Sequence, residues 1–339
     1  MPAWSHFPLA VAEPQGRSWL ALLGNLGRSP ATVDAYGRGL DQYLRFCRDR
    51  GVDAPGATLE HVSLFVRHLN GEGAAVRLRV GNATLQQRLT AVRLWYGHLV
   101  YQGLRELNPV PRGRHAPARG PAPGHAGFQR GLVRRLVRLP RIPSEPEWAR
   151  LLAEAAREGP RNRLMFALAY YGALRREELV GLRVADLDVA RRLVTVRPET
   201  SKGGRARVVC YAAEASPALA AYLVRRRGLD PGAGPMFLSE SDRNPRRPLT
   251  VWTWSKVVRR LARQAGVEGF GTHTLRHLRL THLARAGWRL HEIATYAGHR
   301  NPQTTAAYLH LSGGDLLARM AASVGHLDAK LGAALFGAR

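Results

Sequence analysis

The stretch from Pro111 to Arg141 constrains this chain most, because it is dense in proline, glycine and arginine and contains no acidic residue. Proline removes backbone donors, glycine is costly to order, and closely spaced arginines repel one another, so such a segment cannot build a packed core. The chain must therefore fold on either side of it. A length of 339 residues suffices for two bodies, each burying a core of its own. The expected division is a first domain over 1–110, a basic linker over 111–141, a second domain over 142–312, and a C-terminal segment over 313–339.

Arginines in that stretch, among them Arg112, Arg114, Arg134, Arg135 and Arg138, can neutralise phosphates or can simply keep a spacer solvated; composition does not choose between the two. The chain as a whole carries 51 Lys+Arg against 25 Asp+Glu, a formal charge of +26, which implies a polyanionic partner. Most of the excess is arginine, which suits bidentate phosphate contacts but is also what a GC-rich coding sequence yields. Anionic membranes and structured RNA attract the same composition. No apolar run approaches the roughly 20 residues needed to cross a bilayer, and the first residues lack the pattern of a secretory signal. A cytoplasmic protein with no membrane partner is expected. Two cysteines, Cys47 and Cys210, lie far apart in sequence and support neither a disulfide framework nor a zinc site.

Residues 1–110 read as helices. Ser29-Pro30 is an N-cap followed by proline at the first helical position, with Val33, Tyr36, Leu40, Tyr43 and Cys47 at helical spacing. Thr58 caps a second helix, Asn82 starts a third carrying Leu85, Leu89, Val92, Tyr96 and Leu99, and Asn108-Pro109 ends the pattern. The second domain opens on Ser144-Glu145-Pro146-Glu147, a capping box. Further helices are expected over 161–171, 175–182, 251–265, 273–286 and 290–297. Two β-branched runs, 193–196 and 207–210, flank Thr200-Ser201-Lys202-Gly203-Gly204 and predict a hairpin. The fold class is therefore mainly α with a small antiparallel β-sheet.

His273-Thr274-Leu275-Arg276-His277 begins a helix expected to be capped by Thr272. Residues at i, i+3 and i+4 share a face, so His273, Arg276 and His277 converge at a helix N-terminus, where a phosphate is favoured. The same face could hold zinc, although no third ligand is apparent, or could merely be solvated. After it come Gly298-His299 and, nine residues beyond His299, Tyr308. Upstream, Arg175 is followed by Glu178 and Leu179, and Lys202 sits between the two boxes.

This order and spacing resembles the tyrosine recombinase (phage integrase) family, in detail over about 143–311 and more loosely over 14–110. The departures are Arg176, Leu278-Arg279-Leu280 and Ala297, at positions that pack in the family. The resemblance implies a helical core-binding domain followed by a catalytic domain. It implies Arg175, Lys202, His273, Arg276, His299 and Tyr308 as catalytic residues and Glu178 as the group that orients them. Tyr308 would attack the scissile phosphate, Arg175 and Arg276 would hold its non-bridging oxygens, and Lys202 would protonate the leaving 5′-oxygen. His273 would assist proton transfer at Tyr308, and His299 would hydrogen-bond the phosphate. Neither metal nor cofactor is implied, since the phosphotyrosine conserves the bond energy. The implied partners are double-stranded DNA bearing a specific site and three further copies of the chain, as a homo-tetramer on DNA. His277 and His310 are read as structural. The amphipathic pattern over 313–339 would dock on a neighbouring protomer or pack on its own domain. Relaxation in the manner of a type IB topoisomerase and a non-catalytic DNA-binding regulator are the alternatives; the full set of reactive residues argues against the second.

Overall fold

The computed structural model describes residues 4–71, 80–110, 114–115, 128–129, 132–133, 136, 140–201, 204–299 and 305, with 114–115 and 128–129 described as backbone. Its contacts divide the chain into two units, Met1–Arg138 and Leu139–Arg339.

In the first unit, α1 (Pro8–Ala12), α2 (Pro14–Asn25), α3 (Pro30–Arg48), α4 (Leu59–Leu69) and α5 (Asn82–Tyr101) surround one apolar core. The helix starts follow from local chemistry. Ser29 Oγ accepts from Thr32 N at 3.3 Å with Pro30 at the first helical position, and Thr58 N donates to His61 Nδ1 at 3.1 Å. Val33, Leu40, Tyr43 and Cys47 of α3 are buried facing Leu85, Leu89, Val92, Tyr96 and Leu99 of α5. Each such aliphatic side chain removed from water contributes about 1.5–3 kcal/mol. Buried polar groups pair: Tyr43 and Tyr96 share a hydroxyl contact of 2.6 Å, and Tyr96 Oη donates to Ala54 O. Asp41 accepts from the backbone N–H groups of Leu9 and Ala10, so a carboxylate on α3 caps the short α1.

Parts of the stretch expected as a linker are tied to this unit. Leu132 and Val133 pack against its core, Gln86 Nε2 donates to Val133 O at 2.8 Å, and Leu136 N donates to Asn82 Oδ1 at 3.0 Å. Within the stretch, β1 (Arg114–His115) pairs antiparallel with β2 (Phe128–Gln129), matching Arg114 with Gln129.

The second unit contains α6 (Glu145–Ala156), α7 (Pro160–Tyr171), α8 (Arg176–Val180), β3 (Leu187–Asp188), β4 (Leu193–Val196), β5 (Arg207–Cys210), α9 (Ser216–Leu229), α10 (Val251–Gln264), α11 (Thr272–Arg285) and α12 (Leu290–Ala297). The capping box at Ser144 forms as read, with Ser144 N donating to Glu147 Oε2 at 2.9 Å. The hairpin also forms: β4 pairs with β5 antiparallel, aligning Val194 with Val209 and Val196 with Arg207, and β3 adds a third antiparallel strand. Val194, Val196 and Val209 face the core while Thr195 and Val208 face outward, the alternation a sheet with one buried face requires. α9, unanticipated from sequence, packs on α7 through Leu219 and Tyr222. The cap of α11 differs from expectation. Gly271 is the N-cap and Thr272 the first helical residue, because Thr274 Oγ1 reaches back to accept from Gly271 N at 3.1 Å and so fixes the start one residue earlier. Among the described residues no helix is long and apolar enough to cross a membrane.

Candidate active site

The site is built around a buried carboxylate. α8 begins at Arg175, an extended N-cap, and Glu178 at the third helical position turns back so that its Oε2 accepts from Arg175 N at 2.8 Å. The same carboxylate receives Arg175 Nη1 on Oε1 at 2.8 Å. It is fully buried, which would be prohibitive for an unpaired charge. Compensation comes from Arg207 at the start of β5, whose Nη1 and Nη2 donate to the two oxygens at 2.9 and 2.7 Å. Burial alone would raise the Glu178 pKa, but the hydrogen bonds and charge of Arg207, followed by those of Arg175, outweigh it and hold the value at about 2.

Arg176, the departure beside Arg175, is half-buried and pairs with Glu177, so the register Arg175–Glu178 is the one that meets the site.

Arg276 enters from α11. It is buried, donating from Nη1 to Ala173 O at 2.6 Å and from Nη2 to Ala297 O, with Nη1 4.0 Å from Glu178 Oε2. Ala173 has a positive φ of 46°, an unfavourable geometry for a residue with a Cβ, in the turn between α7 and Arg175. The helix face read as one convergent set is thus divided. Arg276 turns into the protein, whereas His273 is exposed, and its ring meets that of His277 edge-on at 4.4 Å. Arg279, one of the departures, lies over the rings of Tyr170 and Tyr171 at 5.4 and 5.7 Å and packs there through cation–π contacts.

α12 delivers His299. Gly298 caps the helix in the left-handed conformation with φ 64°, and His299 N donates back to Ala294 O at 2.9 Å. His299 Nδ1 lies 2.8 Å from the hydroxyl of Thr305, itself fully buried. Burial first, then the charges of Arg276, Arg175 and Arg207, lower the His299 pKa to about 4. Burial, then His273 and Arg276, do the same for His277. Both imidazoles are neutral at pH 7, able to exchange hydrogen bonds without adding charge.

The structure therefore brings together Arg175, Glu178, Arg276 and His299, with His273 beside His277. Lys202, Tyr308, Arg112, Arg134, Arg135 and Arg138 lie outside the described residues, and Arg114 is described only as backbone. Arg207 was missed in the sequence. Its signal was period-two alternation, which places it on the inward face with Val209, where an arginine needs an anion. Among the described residues no three His, Cys, Asp or Glu side chains are grouped to hold a metal ion.

Such a constellation, two arginines and a neutral histidine arranged around a carboxylate held by a third arginine, can receive an anionic tetrahedral group. Residues 144–313 match the phage integrase family, and residues 18–103 match the phage integrase N-terminal SAM-like domain. Tyrosine recombinase XerC of Azotobacter vinelandii is 31% identical over 291 residues, covering 84% of this chain and 86% of that protein. Tyrosine recombinase XerC of Pelobacter propionicus is 29% identical over 287 residues, with 84% and 86% covered. In fold, the chain resembles XerH site-specific recombinase bound to palindromic difH substrate in a post-cleavage complex (TM-score 0.64, 16% identity, 87% of this chain and 80% of that one). It also resembles the Tn1549 transposon integrase in complex with transposon right end DNA (TM-score 0.59, 18% identity, 84% and 92%). Two domain matches in the expected order and relatives spanning most of both chains establish that this chain belongs to the phage integrase family of tyrosine recombinases.

Proposed function

We propose that this chain cleaves and rejoins double-stranded DNA at a specific site through a 3′-phosphotyrosine formed by Tyr308. The observation that carries this reading is the meeting of Arg175 and Arg276, from separate parts of the chain, at Glu178, with the imidazole of His299 near enough to feel both guanidinium charges.

Phosphoryl transfer asks for three things: a nucleophile in line with the leaving oxygen, positive charge at the non-bridging oxygens, and a proton for the leaving group. Tyr308 Oη bonds to phosphorus as the bond to the 5′-oxygen breaks. The phenolic proton leaves with help from His273, and Lys202 supplies a proton to the 5′-oxygen. Arg175 and Arg276 stabilise the charge on the non-bridging oxygens, their planar forks fixing direction where an ammonium would fix only charge. His299, neutral and anchored at Nδ1 by Thr305, contributes a hydrogen bond to phosphate. Rejoining reverses these steps. A 5′-hydroxyl attacks the phosphotyrosine, so one phosphodiester replaces another and no external energy source is consumed.

Arg112, Arg114, Arg134, Arg135 and Arg138 lie in the basic stretch and would track the backbone phosphates; a tetramer on two sites would exchange the strands in sequence. Integration or excision of an element, transposition and resolution of dimers all use this chemistry.

The test is Tyr308→Phe, which deletes one hydroxyl and leaves the basic surface intact. The expected result is undiminished DNA binding in a gel-shift assay with no covalent protein–DNA band after denaturation. A covalent band that survives the substitution overturns the assignment.

A further inference from the structure

We propose that Arg207 is a positioning residue for strand cleavage, holding Glu178 behind Arg175 and tying that pair to the segment that carries His299. This rests on the reading of the site as one for phosphoryl transfer.

All three guanidinium nitrogens of Arg207 donate to protein. Nη1 and Nη2 meet the two oxygens of Glu178, and Nε donates to the carbonyl of Tyr296 at 3.0 Å. Its side chain is 7% exposed. Arg175 contrasts with it: among the described residues only Nη1 of its guanidinium is engaged, with Glu178, and its side chain is 18% exposed. Arg207 thus faces inward and Arg175 has donors to offer a ligand. The two arginines share one carboxylate but differ in how many of their nitrogens the protein engages.

Arg207 also bridges three elements that are separate in sequence. Glu178 belongs to α8, Arg207 to β5, and Tyr296 to the last turn of α12. Beside Tyr296 O, Arg207 packs on the backbone of Gly298, where a Cβ would lie 3.2 Å from its Cδ and Nη1. His299 follows directly, so a displacement of Arg207 reaches both Arg175 and His299.

The electrostatic consequence is separate from the geometric one. Three guanidinium groups approach Glu178, and these four groups alone carry an excess of positive charge. Removing Arg207 would leave the carboxylate to draw on Arg175 and Arg276, the residues proposed to meet the phosphate. Lysine would not replace it fully, because one ammonium cannot span both Glu178 oxygens and the Tyr296 carbonyl.

The test compares two versions of a duplex selected by this chain from a randomised library. One carries an ordinary scissile phosphate and the other a methylphosphonate, in which a neutral methyl group replaces one non-bridging oxygen. A methylphosphonate needs less positive charge in the transition state, so a defect in arginine placement affects it less. In Arg207→Gln, phosphate cleavage should fall by about tenfold to a hundredfold, the scale on which a misplaced catalytic group acts, with a smaller loss on methylphosphonate. Arg207→Lys should fall between Arg207→Gln and the wild type. The ratio of the two rates, measured in one preparation, does not depend on how much of the variant is folded. An unchanged ratio in Arg207→Gln, whether both rates fall together or neither does, overturns the role of Arg207 alone. A wild-type chain that forms no covalent product on either duplex overturns the recombinase reading and this inference together.

Discussion

Glu178 shows at the scale of one residue how a buried charge is made tolerable. Its oxygens accept four hydrogen bonds, from Arg175 N and Nη1 and from Arg207 Nη1 and Nη2, which satisfies the lone pairs of a fully buried group. The depressed pKa makes this a pH-dependent contribution to stability. The carboxyl of the folded chain titrates at about 2 and that of the unfolded chain near 4.5, so the stabilisation is complete above 4.5 and is lost as pH falls through 2. The difference corresponds to roughly 3 kcal/mol. His277 and His299 act in a higher window. Each is held at about 4 against an ordinary 6.5, so their contribution is complete above 6.5 and is lost as pH falls through 4. Glu178→Gln should therefore destabilise the second unit by roughly 3 kcal/mol at pH 7, and the difference from wild type should shrink between pH 4.5 and 2. The histidine component is common to both proteins and cancels in that difference. Denaturant midpoints measured across this range check it; a difference independent of pH would mean that the carboxylate is not held as an ion.

At the scale of the element, the ends of helices and strands decide where the reactive groups lie. Gly298 ends α12 in a conformation that costs a residue with a Cβ about 1–2 kcal/mol, and its added methyl would press on Arg207. Gly298→Ala should accordingly lower stability by about 1–2 kcal/mol while reducing cleavage more steeply than the folded fraction alone accounts for. Activity per folded molecule that matches wild type would show that the cap only ends the helix. Elements with local signals were legible in the sequence. Ser29-Pro30 and the box at Ser144 set their own helices through contacts three residues away, and alternation in 193–196 and 207–210 marks the paired strands. Elements held by distant partners were not. β3 is two residues long, and α9 buries only Leu219, Tyr222 and Arg226, too thin a stripe to stand out. Arg207 looked like any strand residue because its partners, Glu178 and Tyr296, are 29 and 89 residues away. The spacing of Arg175, Arg276 and His299 marked the site, but the inward turn of Arg276 onto Ala173 and Ala297 depends on tertiary packing.

For the whole molecule, the governing quantity is the net charge of +26, far more than one reactive site requires. Even within the site the cations differ in use, since Arg207 is directed at Glu178 within the protein while, among the described residues, only Nη1 of the Arg175 guanidinium is engaged. Charges that approach backbone phosphates displace the counterions condensed there. Each neutralised phosphate lowers the slope of log K against log salt concentration by about 0.9, so the slope counts phosphate contacts without requiring the target sequence. Wild type and Tyr308→Phe should give the same steep negative slope, because the hydroxyl takes no part in counterion release. Replacing Arg112, Arg114, Arg134, Arg135 and Arg138 together by glutamine should flatten it by about 0.9 for every one of the five that lies on a phosphate. Affinity at low salt should fall in parallel, on any duplex, because these contacts carry no sequence information. If the slope stays unchanged while affinity holds, these five arginines do not lie on phosphates and the contacts come from other cations of the chain.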